Sequence, residues 1–121
     1  MPNYFTTEEL RCKCGCQQNK IDQAFLEKLN EFREKWGSPL IVTSGYRCPS
    51  HNKRVSFTGE TGPHTTGKAV DITCLGGTNR FKFVKMAMES GFTRIGIADS
   101  FIHLDTLTTQ DKVASPAIWI Y

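Results

Sequence analysis

Three residues stand out for the chemistry they could do together. His64 opens the run Pro63-His64-Thr65-Thr66-Gly67-Lys68-Ala69-Val70-Asp71, in which Asp71 follows seven residues later, and His103 lies in the apolar run Phe101-Ile102-His103-Leu104-Asp105. Two imidazole nitrogens and one carboxylate oxygen make a three-donor set for a divalent ion, with Zn²⁺ the usual occupant. Three protein donors leave a fourth tetrahedral position for water, which separates a catalytic zinc site from a structural one. His64, Asp71 and His103 are therefore expected to hold one Zn²⁺ that activates water for hydrolysis. A plainer reading stands beside this one. A backbone hydrogen bond would satisfy a buried Asp71, and a lone histidine between Ile102 and Leu104 is commonly a core residue whose nitrogens have found partners. Spacing by itself leaves both readings open.

The elements that must position these residues are readable in outline. Phe25, Leu29, Phe32 and Trp36 recur at helical spacing between Asp22, a suitable N-cap, and the stop Gly37-Ser38-Pro39. Thr6-Thr7-Glu8-Glu9-Leu10 predicts a short capped helix. Thr78 is expected to cap a second main helix through Ser90, with Phe81, Val84, Ala87 and Met88 on one side and Gly91 as its stop. Leu40–Ser44, Ala69–Cys74, Arg94–Ala98 and Phe101–Asp105 read as strands, the last two joined by a tight turn at Asp99-Ser100. A helical turn is expected after Pro49, a polar loop over 106–115, and an edge strand over Pro116–Tyr121. Such elements predict one α+β domain over residues 1–121, its sheet mostly antiparallel, with two main helices packed against it.

Bulk composition narrows the function classes. The chain has 121 residues, 39% hydrophobic and 22% charged, with a formal net charge of +3. That charge is too small to argue for nucleic acid, though it suits approach to an anionic polymer. No apolar run reaches the roughly 20 residues needed to span a bilayer. Met1-Pro2-Asn3-Tyr4-Phe5 has neither a basic nor an apolar signal region, so cytoplasmic synthesis is expected, with delivery to any external target by other means. The five cysteines are Cys12, Cys14 and Cys16 in C-K-C-G-C, with Cys48 and Cys74 apart. Bridges between residues two apart are strained, and no C-x-x-C pair supplies a fourth metal ligand. Reduced structural thiols are the favoured reading, ahead of one long-range disulfide and of metal binding.

Taken together, Ser44-Gly45-Tyr46-Arg47, Asn52, Gly62 to Asp71 and Phe101 to Asp105 resemble the zinc D-alanyl-D-alanine carboxypeptidase and L-alanyl-D-glutamate endopeptidase family. The resemblance runs from Phe5-Thr6-Thr7-Glu8-Glu9-Leu10 to Ile118-Trp119-Ile120-Tyr121. It implies a hedgehog/DD-peptidase-like fold, one zinc ion on His64, Asp71 and His103, and action on the peptide stems of peptidoglycan, as in many phage lysins. It also implies that Arg47 binds substrate and polarises the scissile carbonyl. A monomer is expected, with neither nucleic acid nor membrane insertion involved.

Physical chemistry supports the role of Arg47, because a fixed guanidinium can stabilise an oxyanion and pair with a carboxylate. Ser44 is expected either to orient substrate or to cap the strand end. His51 fits no ligand position and is expected in a solvated loop. Lys53, Arg54 and Lys68 join Arg47 as cations able to receive a terminal carboxylate. The general base departs from the family pattern, which places Asp or Glu three residues before the last zinc histidine. Here that position is Ser100. Asp99 in the turn is the favoured base; Asp105 is either the base or a group that orients His103. The non-enzyme rival is a zinc-stabilised wall-binding or structural module of the same fold.

Overall fold

The computed structural model describes residues 2–121. Among the described residues there are four α-helices: α1 (Thr7–Leu10), α2 (Gln23–Trp36), α3 (Pro49–Val55) and α4 (Gly77–Glu89). They accompany five strands: β1 (Val42–Ser44), β2 (Ala69–Thr73), β3 (Arg94–Ile97), β4 (Phe101–Asp105) and β5 (Ala117–Ile120). The strands form one sheet in the order β1-β2-β4-β3-β5. Its first three pairings are antiparallel, and β5 joins β3 in parallel at the far edge. The fold is thus the α+β class expected, with an edge strand near the C-terminus whose direction the sequence did not reveal.

Local signals account for the helix ends. Thr6 and Glu9 form a reciprocal capping box on α1, and Asp22 accepts from the Phe25 N–H at the start of α2. Gly37, in the left-handed conformation, ends α2. Helix α4 departs from expectation. It begins at Gly77 after Gly76, which supplies no side-chain cap, so Thr78 lies inside the helix rather than before it. Its buried face is Phe83 and Ala87, with Val84 and Met86 packed alongside, while Phe81 and Met88 are exposed. The aromatic cluster explains the choice. Phe83 meets both Phe32 and Trp36 edge-on, and those contacts set the rotation of α4.

These two main helices cover one face of the sheet. Phe25, Leu29 and Phe32 from α2 pack with Phe83 and Ala87 on Val70, Ile72, Ile95, Ile102 and Leu104. Because successive strand residues point to opposite faces, the intervening residues of β2 and β4, Asp71, His103 and Asp105, lie on the other face. That face borders a cleft whose sides include Val55 of α3 and residues of the 3₁₀ turns Gly59–Thr61 and Pro63–Thr66. Asp71 and His103 are buried although they avoid the apolar core. His51 is a correction to the sequence reading. It belongs to α3, the helical turn expected after Pro49, and is partly buried with its Nδ1 enclosed rather than solvated.

Candidate metal centre

One transverse row across the sheet assembles the site. Ser44 on β1 is in register with Asp71 on β2, Asp71 with His103 on β4, His103 with Gly96 on β3, and Gly96 with Trp119 on β5. Gly96 is required by its neighbour. A Cβ there would lie 2.7 Å from the Trp119 indole, so the bare backbone lets the ring lie over the site face, 5.5 Å from the His103 imidazole. His64 enters from the turn Pro63–Thr66, and its ring sits 5.2 Å from that of His103.

The donor atoms of His64, Asp71 and His103 all lie within 4.8 Å of one another. His103 Nδ1 is 2.9 Å and His64 Nε2 is 3.2 Å from the same oxygen, Asp71 Oδ1. Donors about 2.1 Å from one tetrahedral ion would be spaced by about 3.4 Å, so small side-chain adjustments admit Zn²⁺. The far nitrogens support this more strongly than the distances do. His64 Nδ1 is 2.7 Å from the Gly45 carbonyl oxygen, and His103 Nε2 is 2.7 Å from Asp105 Oδ2. Each far nitrogen faces an acceptor and therefore donates, which leaves the near nitrogen of each ring with a lone pair aimed at the shared point. The residues present fit a zinc ion.

Electrostatics points the same way. Burial alone would push the Asp71 carboxyl up. Hydrogen bonds from His103 and His64, with the charges of those rings, outweigh it and hold Asp71 well below the usual carboxylate range. Burial would push His103 down, but its bonds to Asp105 and Asp71 and their negative charges raise it instead. A proton and a metal ion thus compete for one position between His103 and Asp71. Below its raised pKa, His103 holds the proton; above it, the nitrogen is free to ligate. Zinc affinity, measured by chelator competition, is expected to fall as pH is lowered through the raised pKa of His103, with protons released on uptake.

Asp105 is fully buried, and its bonding is complete. Besides His103 it meets Arg94 Nε at 3.1 Å and 3.2 Å through its two oxygens and accepts from the Leu107 N–H. Of the two roles the sequence left open, this geometry is that of a group orienting His103. Replacing Asp105 by asparagine is expected to weaken zinc binding by about 10–100-fold, as judged by competition titration.

Arg47 is fixed beside the three donors. Its Nε donates to Ser44 Oγ and its Nη1 to Asn52 Oδ1, both at 3.0 Å, while Nη2 lies 3.6 Å from Asp71 Oδ2. Ser44 therefore holds the guanidinium. Asn52 is buried and tied to Thr58 Oγ1 by its amide, which fixes the other arm of the fork. Asn52, Arg94, Gly96 and Trp119 are site residues to which sequence reasoning gave no role. Trp119 had a signal, being an aromatic in a predicted edge strand, and Asn52 was among the residues carrying the resemblance, though without a role; Arg94 and Gly96 emerge only with strand register. Asp99 lies elsewhere. It is exposed in the β3–β4 turn, where its carbonyl accepts from Arg80 of α4.

The donors and Arg47 line an open cleft of about 730 Å³. Its walls include Phe57, Pro63, Phe101, Trp119 and Tyr121, and Phe57 at the rim is 96% exposed. Among the described residues, Asp71 is the one carboxylate lining it. No helix among them is long and apolar enough to cross a membrane. A family model described as Peptidase M15 matches residues 3–105, a span that contains all three donors, Arg47 and Asp105. None of the curated proteins compared with the chain matches it.

Proposed function

The chain belongs to the peptidase M15 family, and from that premise we propose that it is a zinc peptidase cleaving the stem peptides of peptidoglycan. The observation that carries this reading is the convergence of two imidazoles and a carboxylate beside a braced arginine on the floor of an open cleft. A zinc ion held there supplies Lewis acidity and lowers the pKa of a bound water. The chain's own residues do the rest. Arg47 presents Nη2 over the centre, where it would meet the developing negative charge on the attacked carbonyl oxygen. Trp119, Phe101 and Tyr121 offer an apolar wall for the substrate backbone and exclude water on that side. The open cleft, with exposed Phe57 at its rim, suits an extended peptide that continues beyond the scissile bond, favouring an endopeptidase over a carboxypeptidase. Purified sacculi incubated with the zinc-loaded protein should release stem-peptide fragments, and mass spectrometry of the new termini identifies the bond.

The proton acceptor is the open element of this reading. Asp99 can serve only if the β3–β4 turn folds over the cleft. Asp99→Ala is expected to leave kcat/KM within about threefold of wild type, whereas a true general base would cost about 10²–10⁴-fold. A second reading, a zinc-stabilised wall-binding module, draws on the scarcity of carboxylates in the cleft. Intact sacculi that bind the protein without releasing fragments would select it.

A further inference from the structure

We propose that Cys12, Cys14, Cys16 and Cys48 form a second, structural zinc site, a closed tetrathiolate that fastens the N-terminal loop to the segment bearing Arg47. The four sulfurs lie within 4.8 Å of one another. Cys12 Sγ is 3.5 Å and Cys48 Sγ 3.6 Å from Cys14 Sγ. Thiolates about 2.3 Å from a tetrahedral Zn²⁺ would be spaced by about 3.8 Å, close to the spacing seen. All five cysteines are free, and the fifth, Cys74, belongs to the main core, leaving the four that such a site takes. The fourth ligand missing from the local C-K-C-G-C spacing arrives from Cys48, more than thirty residues onward.

The backbone is arranged to bring these sulfurs together. Gly15 and Gln17 adopt positive φ (95° and 61°), and the Cys12 N–H donates to the Gln18 carbonyl at 2.8 Å, folding the loop back on itself. The Tyr46 N–H donates to the Leu10 carbonyl at 2.8 Å, which draws Cys48 alongside. Gly45 permits that approach, since a Cβ there would lie 2.7 Å from the Leu10 oxygen. Backbone N–H groups then point at the sulfurs: Cys48 N to Cys12 Sγ at 3.3 Å, His51 N to Cys48 Sγ at 3.4 Å and Gln18 N to Cys16 Sγ at 3.5 Å. Such donors stabilise thiolate charge in a metal site. A cluster of this kind has a structural purpose here. Cys48 directly follows Arg47, and the Gly45 carbonyl orients His64, so an ion holding residues 12–16 against 45–48 braces the hydrolytic centre from behind.

The test separates the two sites. Full-length protein purified under reducing conditions should contain two zinc ions per chain by elemental analysis. His64→Ala/His103→Ala should keep one, and on cobalt exchange that one should show the intense near-ultraviolet sulfur-to-metal band of a tetrathiolate. Cys14→Ser and Cys16→Ser should each lose one ion, and a strong chelator should lower the melting temperature of the histidine double variant. The proposal is overturned if the histidine double variant binds no metal. It is also overturned if the cysteine variants keep the full metal content, or if mass analysis of the anaerobically purified chain finds these thiols paired as disulfides. The histidine centre can fail as a hydrolytic site without changing any of these outcomes.

Discussion

His103→Ala is expected to abolish hydrolysis, with kcat/KM falling on the order of 10³-fold or more as the ion leaves with its ligand. The side chain is buried with both nitrogens engaged, one toward Asp71 and one toward Asp105. Truncation therefore removes a metal donor and also leaves two buried carboxylates without the group between them. A stability loss of about 1–3 kcal/mol should accompany it, because buried carboxylate oxygens lose a hydrogen-bond partner even though Arg94 and Arg47 still offset their charge. His64→Ala provides the control. It deletes a donor but leaves His103 between the two carboxylates, so activity should fall similarly while the melting temperature falls less. Retained hydrolysis in both variants, with zinc still bound, would place the chemistry elsewhere.

Arg47→Ala is expected to lower kcat by about 10²–10³-fold while the metal content of the histidine centre stays unchanged, because the guanidinium acts on the charge formed during reaction. Arg47→Lys should rescue little. The native side chain uses Nε on Ser44, Nη1 on Asn52 and Nη2 toward the centre, and a single ammonium cannot occupy three directions at once. Ser44→Ala and Asn52→Ala should each reproduce part of the defect by loosening one arm of the fork. Steady-state kinetics decides between roles. A rise in KM at constant kcat would make Arg47 a substrate anchor alone.

Much of this centre was legible because its residues sit in short strands with period-two patterning. Asp71 between Val70 and Ile72, and His103 between Ile102 and Leu104, are polar residues on apolar segments, so they had to share a face opposite the core. The family resemblance then named the same residues, and the peptidase M15 match covers them. What sequence could not supply was register. That Asp105 is consumed by His103 and Arg94 depends on the pairing of β3 with β4. That Gly96 faces the Trp119 ring depends on β5 lying parallel to β3. Helix α4 was misjudged for a related reason, since aromatic contacts with α2 set its rotation and Phe81 was left outside. The cysteines were obscure because one of the four is remote and reaches the others through a loop contact at Leu10.

The central strand keeps its two duties on alternate residues: Ile102 and Leu104 serve cohesion, and His103 and Asp105 form part of the candidate metal centre. Stability and catalysis are accordingly open to independent tuning there by substitution. They are not independent under a frameshift of the pairing. Removing Leu104 while Asp105 keeps its pairing would turn Ile102 to the cleft and the His103 imidazole to the apolar interior, forfeiting both duties in a single edit.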